Sequence, residues 1–324
     1  MLTASICLCT YNGEDYLKEL LASLAAQTTL PTELLVGDDG SVDATLQIVR
    51  EFASNSPFPV EVLADEKHLG PALNLERLLE RATGDVLLPC DQDDIWSPSK
   101  IGVLGQALQD SPDSGAVICN SSLIDGRGRS VPGSLFERAG LDLRTRMLLA
   151  SGSSGAAVEI ARRNVVASHA LAIRRSALDL VLPFGYDWHA DWWIALVLSA
   201  TTGIAIVDDC LVQYRLHESN TVGLPERRPL AERASRERLG RLRRRAELLD
   251  AALIRVSELR PGVPSPSDRA IIDAQIRHLR IRGSLPARHI RRIGPILHEI
   301  RGGGYRRFSN GWKSVIGDVV RSSV

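Results

Sequence analysis

Three carboxylates lie within four residues in the segment Cys90-Asp91-Gln92-Asp93-Asp94-Ile95-Trp96, directly after an apolar run that ends at Pro89. Repulsion and desolvation make such a cluster costly unless a cation, water or basic neighbours neutralise it. Hard divalent cations prefer oxygen ligands of this kind, so the cluster indicates a metal site that faces phosphate groups. A solvated turn or a structural calcium loop explains the segment equally well when it is taken alone.

The segments around this cluster predict alternating strands and helices. Apolar, β-prone runs cover residues 5–9, 33–37, 60–63 and 86–89, and amphipathic segments separate them. This alternation predicts an α/β protein with a mostly parallel, doubly wound sheet and flanking helices. Ligands bind beyond the carboxyl ends of the strands in such sheets.

Three polar segments fall at those strand ends: Thr10-Tyr11, Asp38-Asp39 and Asp91–Asp93. We expect them to converge on one edge of the sheet. The chain contains neither Gly-x-Gly-x-x-Gly nor Gly-x-x-x-x-Gly-Lys-Ser/Thr, so a glycine-rich phosphate loop is not supported. The sequence favours a metal as the group that handles phosphate.

The composition is that of an ordinary globular protein, with 44% apolar and 24% charged residues in 324 positions. The longest apolar run, residues 192–207, is too short and too polar for a transmembrane helix, and the start of the chain lacks the basic segment of a signal peptide. Five cysteines without a Cys-x-x-Cys pair argue against a disulfide framework and a zinc site. These features predict a cytoplasmic protein.

The formal charge is zero, but it is distributed unevenly. Residues 225–324 carry 23 basic and 10 acidic side chains, whereas residues 1–224 carry 16 and 29. We therefore expect an acidic domain over residues 1–224 and an arginine-rich helical region over residues 225–324. A long helix is predicted from Leu230 to about Leu259, and its apolar face consists of Leu239, Leu242, Ala246, Leu249 and Leu253.

Three alternative roles are expected for the basic region. The first is peripheral contact with an anionic membrane, the second is contact with another subunit in a homodimer, and the third is that of a solvated arginine-rich face. Nucleic acid is not an expected partner, because the region has no nucleic-acid motif and no interleaved aromatic residues.

Five segments of the chain form a recognisable set: Cys9-Thr10-Tyr11-Asn12, Asp38-Asp39-Gly40-Ser41-Val42-Asp43, Asp91-Gln92-Asp93-Asp94-Ile95-Trp96, Asp191-Trp192-Trp193 and Tyr214-Arg215-Leu216-His217. Together they resemble glycosyltransferase family 2, whose members are inverting enzymes with the GT-A fold. They occur in the family's order over roughly residues 3–223, which makes residues 1–224 the expected catalytic domain. The third segment resembles a subgroup that includes rhamnosyltransferases and other surface-polysaccharide transferases.

The resemblance assigns a donor site to these segments. It implies that Asp91 lies near the ribose of a sugar nucleotide, and that Asp93 and His217 bind Mg²⁺ or Mn²⁺ at the diphosphate. A cation is needed there because the leaving group gathers negative charge as the glycosidic bond breaks. The residues that hold the nucleoside are Thr10, Tyr11, Asp38 and Asp39.

The resemblance also implies the acceptor chemistry. Asp191 is the expected general base, which removes the proton from an acceptor hydroxyl as that hydroxyl attacks the anomeric carbon. The expected donor is dTDP-rhamnose or a UDP-sugar, and the expected acceptor is a glycan or a lipid-linked molecule. Asp94 is expected to cap the next helix, and Trp192 and Trp193 are expected to pack in the core.

Two segments depart from the family pattern. His68-Leu69-Gly70 stands where the family commonly has Asn, and Ala190 separates His189 from Asp191. Two other functions stay open: a nucleotidyltransferase that makes sugar nucleotides, and a non-catalytic protein that binds nucleotides or carbohydrates. The first needs a basic, glycine-rich segment near the first strand, which residues 10–13 do not provide.

Overall fold

The computed structural model describes residues 2–64, 68–185, 189–217, 236–286 and 288–320. The chain divides into two compact units, Met1–Gly223 and Leu224–Val324. The domain boundary predicted after residue 224 lies outside the described residues, and the roles expected for the two parts stay predictions.

The described residues of the first unit form one nine-stranded sheet with helices around it. Its strands are β1 (Ala4–Thr10), β2 (Glu33–Asp38), β3 (Val60–Ala64), β4 (Val86–Asp91), β5 (Ile95–Trp96), β6 (Ala116–Asp125), β7 (Ser130–Ser134), β8 (Leu171–Arg174) and β9 (Ile204–Leu216). Its helices are α1 (Leu17–Ala25), α2 (Thr45–Ala53), α3 (Pro71–Arg81), α4 (Lys100–Asp110), α5 (Leu135–Ala139), α6 (Leu143–Ala150), α7 (Ser154–Arg162), α8 (Leu178–Val181) and α9 (Ala190–Thr201).

The strand order is β3-β2-β1-β4-β8-β6-β9-β5, with β7 paired to β6. The first four strands are parallel, and β8 joins them antiparallel to β4. Helices α1 and α3 pack their leucine faces into the core, where Leu17, Leu20 and Leu78 have no exposed surface. The predicted α/β architecture of the GT-A type is confirmed.

Several local predictions differ from the structure. Local patterns predict two strands, over residues 204–209 and 211–215, but these residues form one strand, β9, whose pairing with β6 shifts register at Asn120. A loop is predicted at residues 151–155, but α7 already begins at Ser154. A strand is predicted to begin at His169, but this residue lies in a 3₁₀ helix, Ser168–Ala170, directly before β8. In β9 the long-range pairing with β6 overrides the weak local pattern.

The second unit is helical in its described part. Its helices are α10 (Arg236–Leu259), α11 (Pro266–Gly283), α12 (His289–Arg301), α13 (Gly304–Phe308) and α14 (Trp312–Val319). The long helix is confirmed from Arg236 onward, and residues 230–235 lie outside the described ranges. The predicted apolar face of α10 packs inside the unit, since Ala246, Leu249 and Leu253 are buried. No helix in the described ranges is both long and apolar enough to span a membrane.

Candidate active site

The three strand ends meet as the sequence predicted. Thr10 at the end of β1 pairs with Asp38 at the end of β2, and Cys9 pairs with Asp91 at the end of β4 on the other side. Parallel pairing therefore gathers the Thr10, Asp38 and Asp91 segments on one edge of the sheet, although up to 81 positions separate them along the chain.

Thr10 and Asp38 form the floor of this edge. The Thr10 hydroxyl donates to Asp38 Oδ2 at 2.8 Å, and Ser41 donates to the same carboxylate through its backbone N–H at 2.9 Å and its hydroxyl at 2.6 Å. Both Thr10 and Asp38 are buried. These hydrogen bonds occupy the Asp38 carboxylate, so it holds the loop after β2 in place.

Asp39 holds the segment that departs from the family pattern. The backbone N–H groups of Leu69 and Gly70 donate to its two carboxylate oxygens at 2.6 and 2.9 Å, and His68 Nδ1 lies 3.0 Å from Oδ2. Gly70 has a φ of 84°, which favours glycine at this position. Asp39 therefore fixes the loop in which His68 replaces the family's asparagine.

Tyr11 is held by its backbone and leaves its ring exposed. The Gln92 side chain accepts from the Tyr11 N–H at 2.9 Å and donates to the Tyr11 carbonyl at 3.0 Å. The ring is 48% exposed and lies 4.7 Å, between centroids, from the His68 ring. The two rings form an aromatic edge beside the strand ends, suited to contact with a planar base.

The carboxylates of the acidic cluster occupy different environments. Asp91 has 44% of its side chain exposed, Asp93 has 15%, and Asp94 has none. The Asp91 carboxylate is therefore accessible to a ligand from solvent, whereas the Asp94 carboxylate is buried.

Asp94 is not a helix cap, which corrects the prediction. Helix α4 begins after Ser99, and Asp94 Oδ1 accepts from the backbone N–H of Arg215 at 3.0 Å. Its Oδ2 atom has no hydrogen-bond partner in the described ranges. Burial raises the pKa of Asp94, because the charged form loses its hydration.

His169 is a site residue that the sequence reasoning missed. Its Nδ1 atom lies 3.4 Å from Asp94 Oδ2 and 3.7 Å from Asp91 Oδ2, and its Nε2 atom lies 3.1 Å from Ser121 Oγ. The ring is buried and stacks on Tyr214 at 4.5 Å. Asp91, Asp94 and His169 place ligand atoms within 4.8 Å of one another, a grouping able to hold a cation.

A buried lysine supports this group. Lys100 Nζ donates to the His169 carbonyl at 2.7 Å and lies 3.2 Å from the centroid of the Trp96 ring. Burial lowers the pKa of Lys100 to about 8. Its charge opposes those of the acidic cluster, and it fixes the turn that carries His169.

Asp93 and His217 meet at the outer side of the cluster. His217 Nε2 lies 2.8 Å from Asp93 Oδ2, and the two side chains are similarly accessible, at 14% and 15%. The Arg215 side chain holds the turn that carries Asp93: its Nε donates to the Asp93 carbonyl at 2.8 Å, and its Nη2 donates to the Glu19 carboxylate at 2.6 Å.

Asp191 lies in the first turn of α9. Its Oδ1 accepts from the Trp192 N–H at 2.7 Å. Burial, with a smaller contribution from the charge of Asp91, raises the pKa of Asp191 to about 6, although hydrogen bonds to the carboxylate and the charge of His169 act in the opposite direction.

The two tryptophans after Asp191 pack in the core, which confirms the prediction. Trp192 Nε1 donates to the Ile160 carbonyl and Trp193 Nε1 to the Val181 carbonyl, both at 2.8 Å. Both rings are buried. They anchor α9 and so fix the position of Asp191. His189 before them has a φ of 57°, and burial lowers its pKa to about 4.

The fold and this arrangement of carboxylates define the class of protein as a glycosyltransferase of the GT-A type. The family described as Glycosyl transferase family 2 matches residues 5–179, and the chain belongs to this family.

The curated relatives agree with this family. An uncharacterized protein of Mycobacterium tuberculosis is 28% identical over 217 residues, which are 66% of this chain and 58% of that protein. The poly(ribitol-phosphate) beta-N-acetylglucosaminyltransferase TarS of Staphylococcus aureus is 34% identical over 139 residues, 42% of this chain and 24% of TarS. This chain thus spans little more than half the length of the first relative.

Two solved structures share the fold. The S. aureus TarS 1-349 structure in complex with UDP-GlcNAc has a TM-score of 0.54 and 19% identity, and the match covers 97% of this chain and 90% of that one. The mannosyltransferase PcManGT of Pyrobaculum calidifontis, in complex with GDP-Man and Mn²⁺, has a TM-score of 0.57 and 18% identity, covering 98% and 86%.

Proposed function

We propose that this protein transfers a sugar from a nucleoside-diphosphate sugar to an acceptor hydroxyl, with inversion at the anomeric carbon. The observation that carries the proposal is the convergence of the Thr10, Asp38 and Asp91 strand ends on one edge of the sheet, where ligands bind; Asp191, in the first turn of α9, is the proposed base. A base on one side and a phosphate-facing acidic cluster on the other are what a single displacement needs.

The nucleoside lies at the Tyr11 end of the site. The exposed ring of Tyr11 contacts the base, and the accessible carboxylate of Asp91 contacts the ribose. Thr10, Asp38 and Asp39 act there by shaping the pocket, because their polar groups bind neighbouring loops. A pyrimidine nucleotide, as in dTDP-rhamnose or a UDP-sugar, is the donor that the resemblance favours.

Asp93 and His217 fit a divalent cation, Mg²⁺ or Mn²⁺. Neighbouring ligands of an octahedral Mg²⁺ at 2.1 Å lie about 3 Å apart, and the ligand atoms of this pair lie 2.8 Å apart. Their partial exposure also allows contact with a diphosphate, whereas Asp94 and His169 are too deeply buried for that. When bound, the cation neutralises the charge that the leaving diphosphate gains.

Asp191 activates the acceptor. Its carboxylate takes the proton from the incoming hydroxyl, and a pKa near 6 keeps it ionised at neutral pH while leaving it basic enough to accept that proton. A glycan or a lipid-linked molecule is the proposed acceptor. We infer a cytoplasmic location, because all five cysteines are free thiols and three of them are buried.

Donor turnover tests the proposal. The full chain is incubated with dTDP-, UDP- and GDP-sugars and Mn²⁺. The sugar is transferred to water or to an added acceptor, and a coupled assay follows the nucleoside diphosphate that this transfer releases. Turnover of one donor, lost in Asp191→Asn, is the expected result. Release of pyrophosphate from a nucleoside triphosphate and a sugar 1-phosphate indicates a nucleotidyltransferase instead. Binding without any turnover indicates a carbohydrate-binding protein.

A further inference from the structure

The second unit leaves two rows of apolar side chains in solvent. Helix α12 buries Ile296, and α14 buries Val315, in a cluster with Leu285 and Tyr305. Each helix also carries large apolar residues on another face. The exposed residues, which we name the apolar face, are Ile290, Ile293 and Leu297 of α12, and Trp312, Ile316, Val319 and Val320 in and directly after α14.

The spacing shows that both rows are true helix faces. The residues of α12 follow one another at i, i+3 and i+7, and those of α14 at i, i+4, i+7 and i+8, which places each set on one side of its helix. Packing inside the unit already uses the opposite sides. The exposed rows are therefore a second apolar surface, which the fold of this unit does not need.

The two rows lie next to each other. His289 Nδ1, at the start of α12, is 3.0 Å from the Val319 carbonyl at the end of α14. Arg292 Nη1 donates to the Asp318 carbonyl at 3.4 Å and to the Val319 carbonyl at 3.5 Å. The beginning of α12 thus adjoins the end of α14, which brings the two apolar rows close together at this point.

The exposed charged side chains of residues 288–320, the segment that carries this face, are all positive. Residues 288–320 contain seven arginines and lysines but only two acidic residues, Glu299 and Asp318. Glu299 pairs with His278, and buried Asp318 accepts from Arg282 at 2.6 Å and from Tyr305 at 2.8 Å. Both acidic side chains are therefore paired with residues inside the unit. The exposed charges are the cations Arg288, Arg291, Arg301, Arg306, Arg307 and Lys313.

An apolar face that contains a tryptophan, on a segment whose exposed charges are all cations, matches the interface between the headgroups and acyl chains of an anionic bilayer. Nucleic acid attracts cations but gains nothing from seven apolar side chains in contact with solvent. We propose that this apolar face inserts into the surface of a membrane that contains anionic lipid. This membrane contact would bring the enzyme to a lipid-linked acceptor, and its functional role therefore rests on the proposed function.

Vesicle flotation with the full chain tests the proposal. Wild type is expected to float with vesicles of phosphatidylcholine and 30% phosphatidylglycerol at low salt, and to bind at least tenfold more weakly to pure phosphatidylcholine. Ile293→Ser/Ile316→Ser is expected to lower the partition coefficient at least tenfold. Arg291→Gln/Lys313→Gln is expected to lower it by about twentyfold, since each cation near an anionic surface contributes about fivefold.

The matched control changes exposed apolar residues of the first unit. Leu143→Ser/Met147→Ser alters two such residues of α6 and is expected to float like wild type. Thermal unfolding verifies that each variant is folded. Wild type that binds neither vesicle, or an Ile293→Ser/Ile316→Ser variant that floats like wild type, overturns the proposal.

Light scattering and donor turnover distinguish membrane insertion from dimerisation and from a loss of catalysis. If Ile293→Ser/Ile316→Ser converts a dimer into a monomer in light scattering and leaves flotation unchanged, the face is a contact between two copies and the membrane proposal is wrong. Donor turnover to water is expected to be the same in this variant and wild type. Failure of wild type to float therefore overturns the membrane proposal without affecting the proposed sugar transfer. Absence of donor turnover overturns the proposed sugar transfer without affecting the flotation result.

Discussion

His217 Nε2 lies 2.8 Å from Asp93 Oδ2, although 124 positions separate the two residues in the chain. The contact joins the end of β9 to the turn after β4, and Arg215 connects the same two segments through its backbone N–H, which donates to Asp94, and its Nε, which donates to the Asp93 carbonyl. We propose that this partly accessible carboxylate and imidazole hold the divalent cation.

Removal of either member of this pair is expected to weaken metal binding. Asp93→Ala and His217→Ala should each raise the Kd for Mn²⁺, measured by electron paramagnetic resonance in the presence of UDP, at least tenfold. Glu61→Gln, which removes an exposed carboxylate paired with Arg81, is the matched control and should bind Mn²⁺ like wild type. Unchanged Mn²⁺ affinity in both pair variants, with a loss in Asp94→Asn, would move the metal to the buried Asp91, Asp94 and His169 group.

The pH dependence of turnover is expected to report on Asp191. Burial raises the pKa of this carboxyl to about 6, so the ionised form needed for proton removal predominates above that pH and is lost below it. The value of kcat/KM should therefore fall about tenfold per pH unit below pH 6. Asp191→Asn should lower kcat by about 10²- to 10⁴-fold and leave nucleotide affinity within twofold. A wild-type profile that is flat down to pH 4.5 would remove Asp191 from this role.

Thr10→Val is expected to affect stability more than donor binding. The change removes the hydroxyl that donates to the buried Asp38 carboxylate and should cost about 1–3 kcal/mol of unfolding free energy, measured by urea titration. Thr28→Val is the control: it removes a hydroxyl that donates to the Pro98 carbonyl at an exposed position, where water replaces the lost bond, and it should cost less than about 1 kcal/mol. If Thr10→Val instead keeps its stability and loses nucleotide affinity, the hydroxyl contacts the donor directly.

The ring of Tyr11 is expected to contribute to donor affinity through its face. Tyr11→Ala should raise the Kd for the nucleoside diphosphate by about 5- to 160-fold, because stacking of a base on an aromatic ring is worth about 1–3 kcal/mol. Tyr11→Phe keeps the ring and should stay within twofold of wild type. Gln92 holds the Tyr11 backbone in all three proteins, so the fold should not change. Equal losses in both variants would point to the hydroxyl.

Local patterns predicted the elements whose position depends on local residues. The carboxyl ends of β1, β2 and β4 were placed correctly because each strand is a buried apolar run ended by polar residues. The two tryptophans after Asp191 also pack in the core, as expected. These features made the GT-A fold and most of the candidate site predictable.

Contacts between distant segments decided the remaining features. Asp94 resembles a helix cap locally, but the Arg215 N–H, 121 positions away, binds its carboxylate. His169 carries no motif, and its place depends on Lys100, 69 positions earlier, and on stacking against Tyr214. The sequence predicted a row of apolar side chains on α10, and packing buries that row. The exposed apolar residues lie instead on α12 and α14, because amphipathic spacing alone does not show which helix keeps apolar side chains in solvent.

The proposed donor site is tested by calorimetric titration of the wild-type protein with UDP, dTDP and GDP, with and without Mn²⁺. At least one nucleoside diphosphate is expected to bind, and Mn²⁺ is expected to tighten its Kd at least tenfold, because Asp93 and His217 would hold a cation that neutralises the charge of the diphosphate. Binding of none of the three, or binding that Mn²⁺ leaves unchanged, would contradict it.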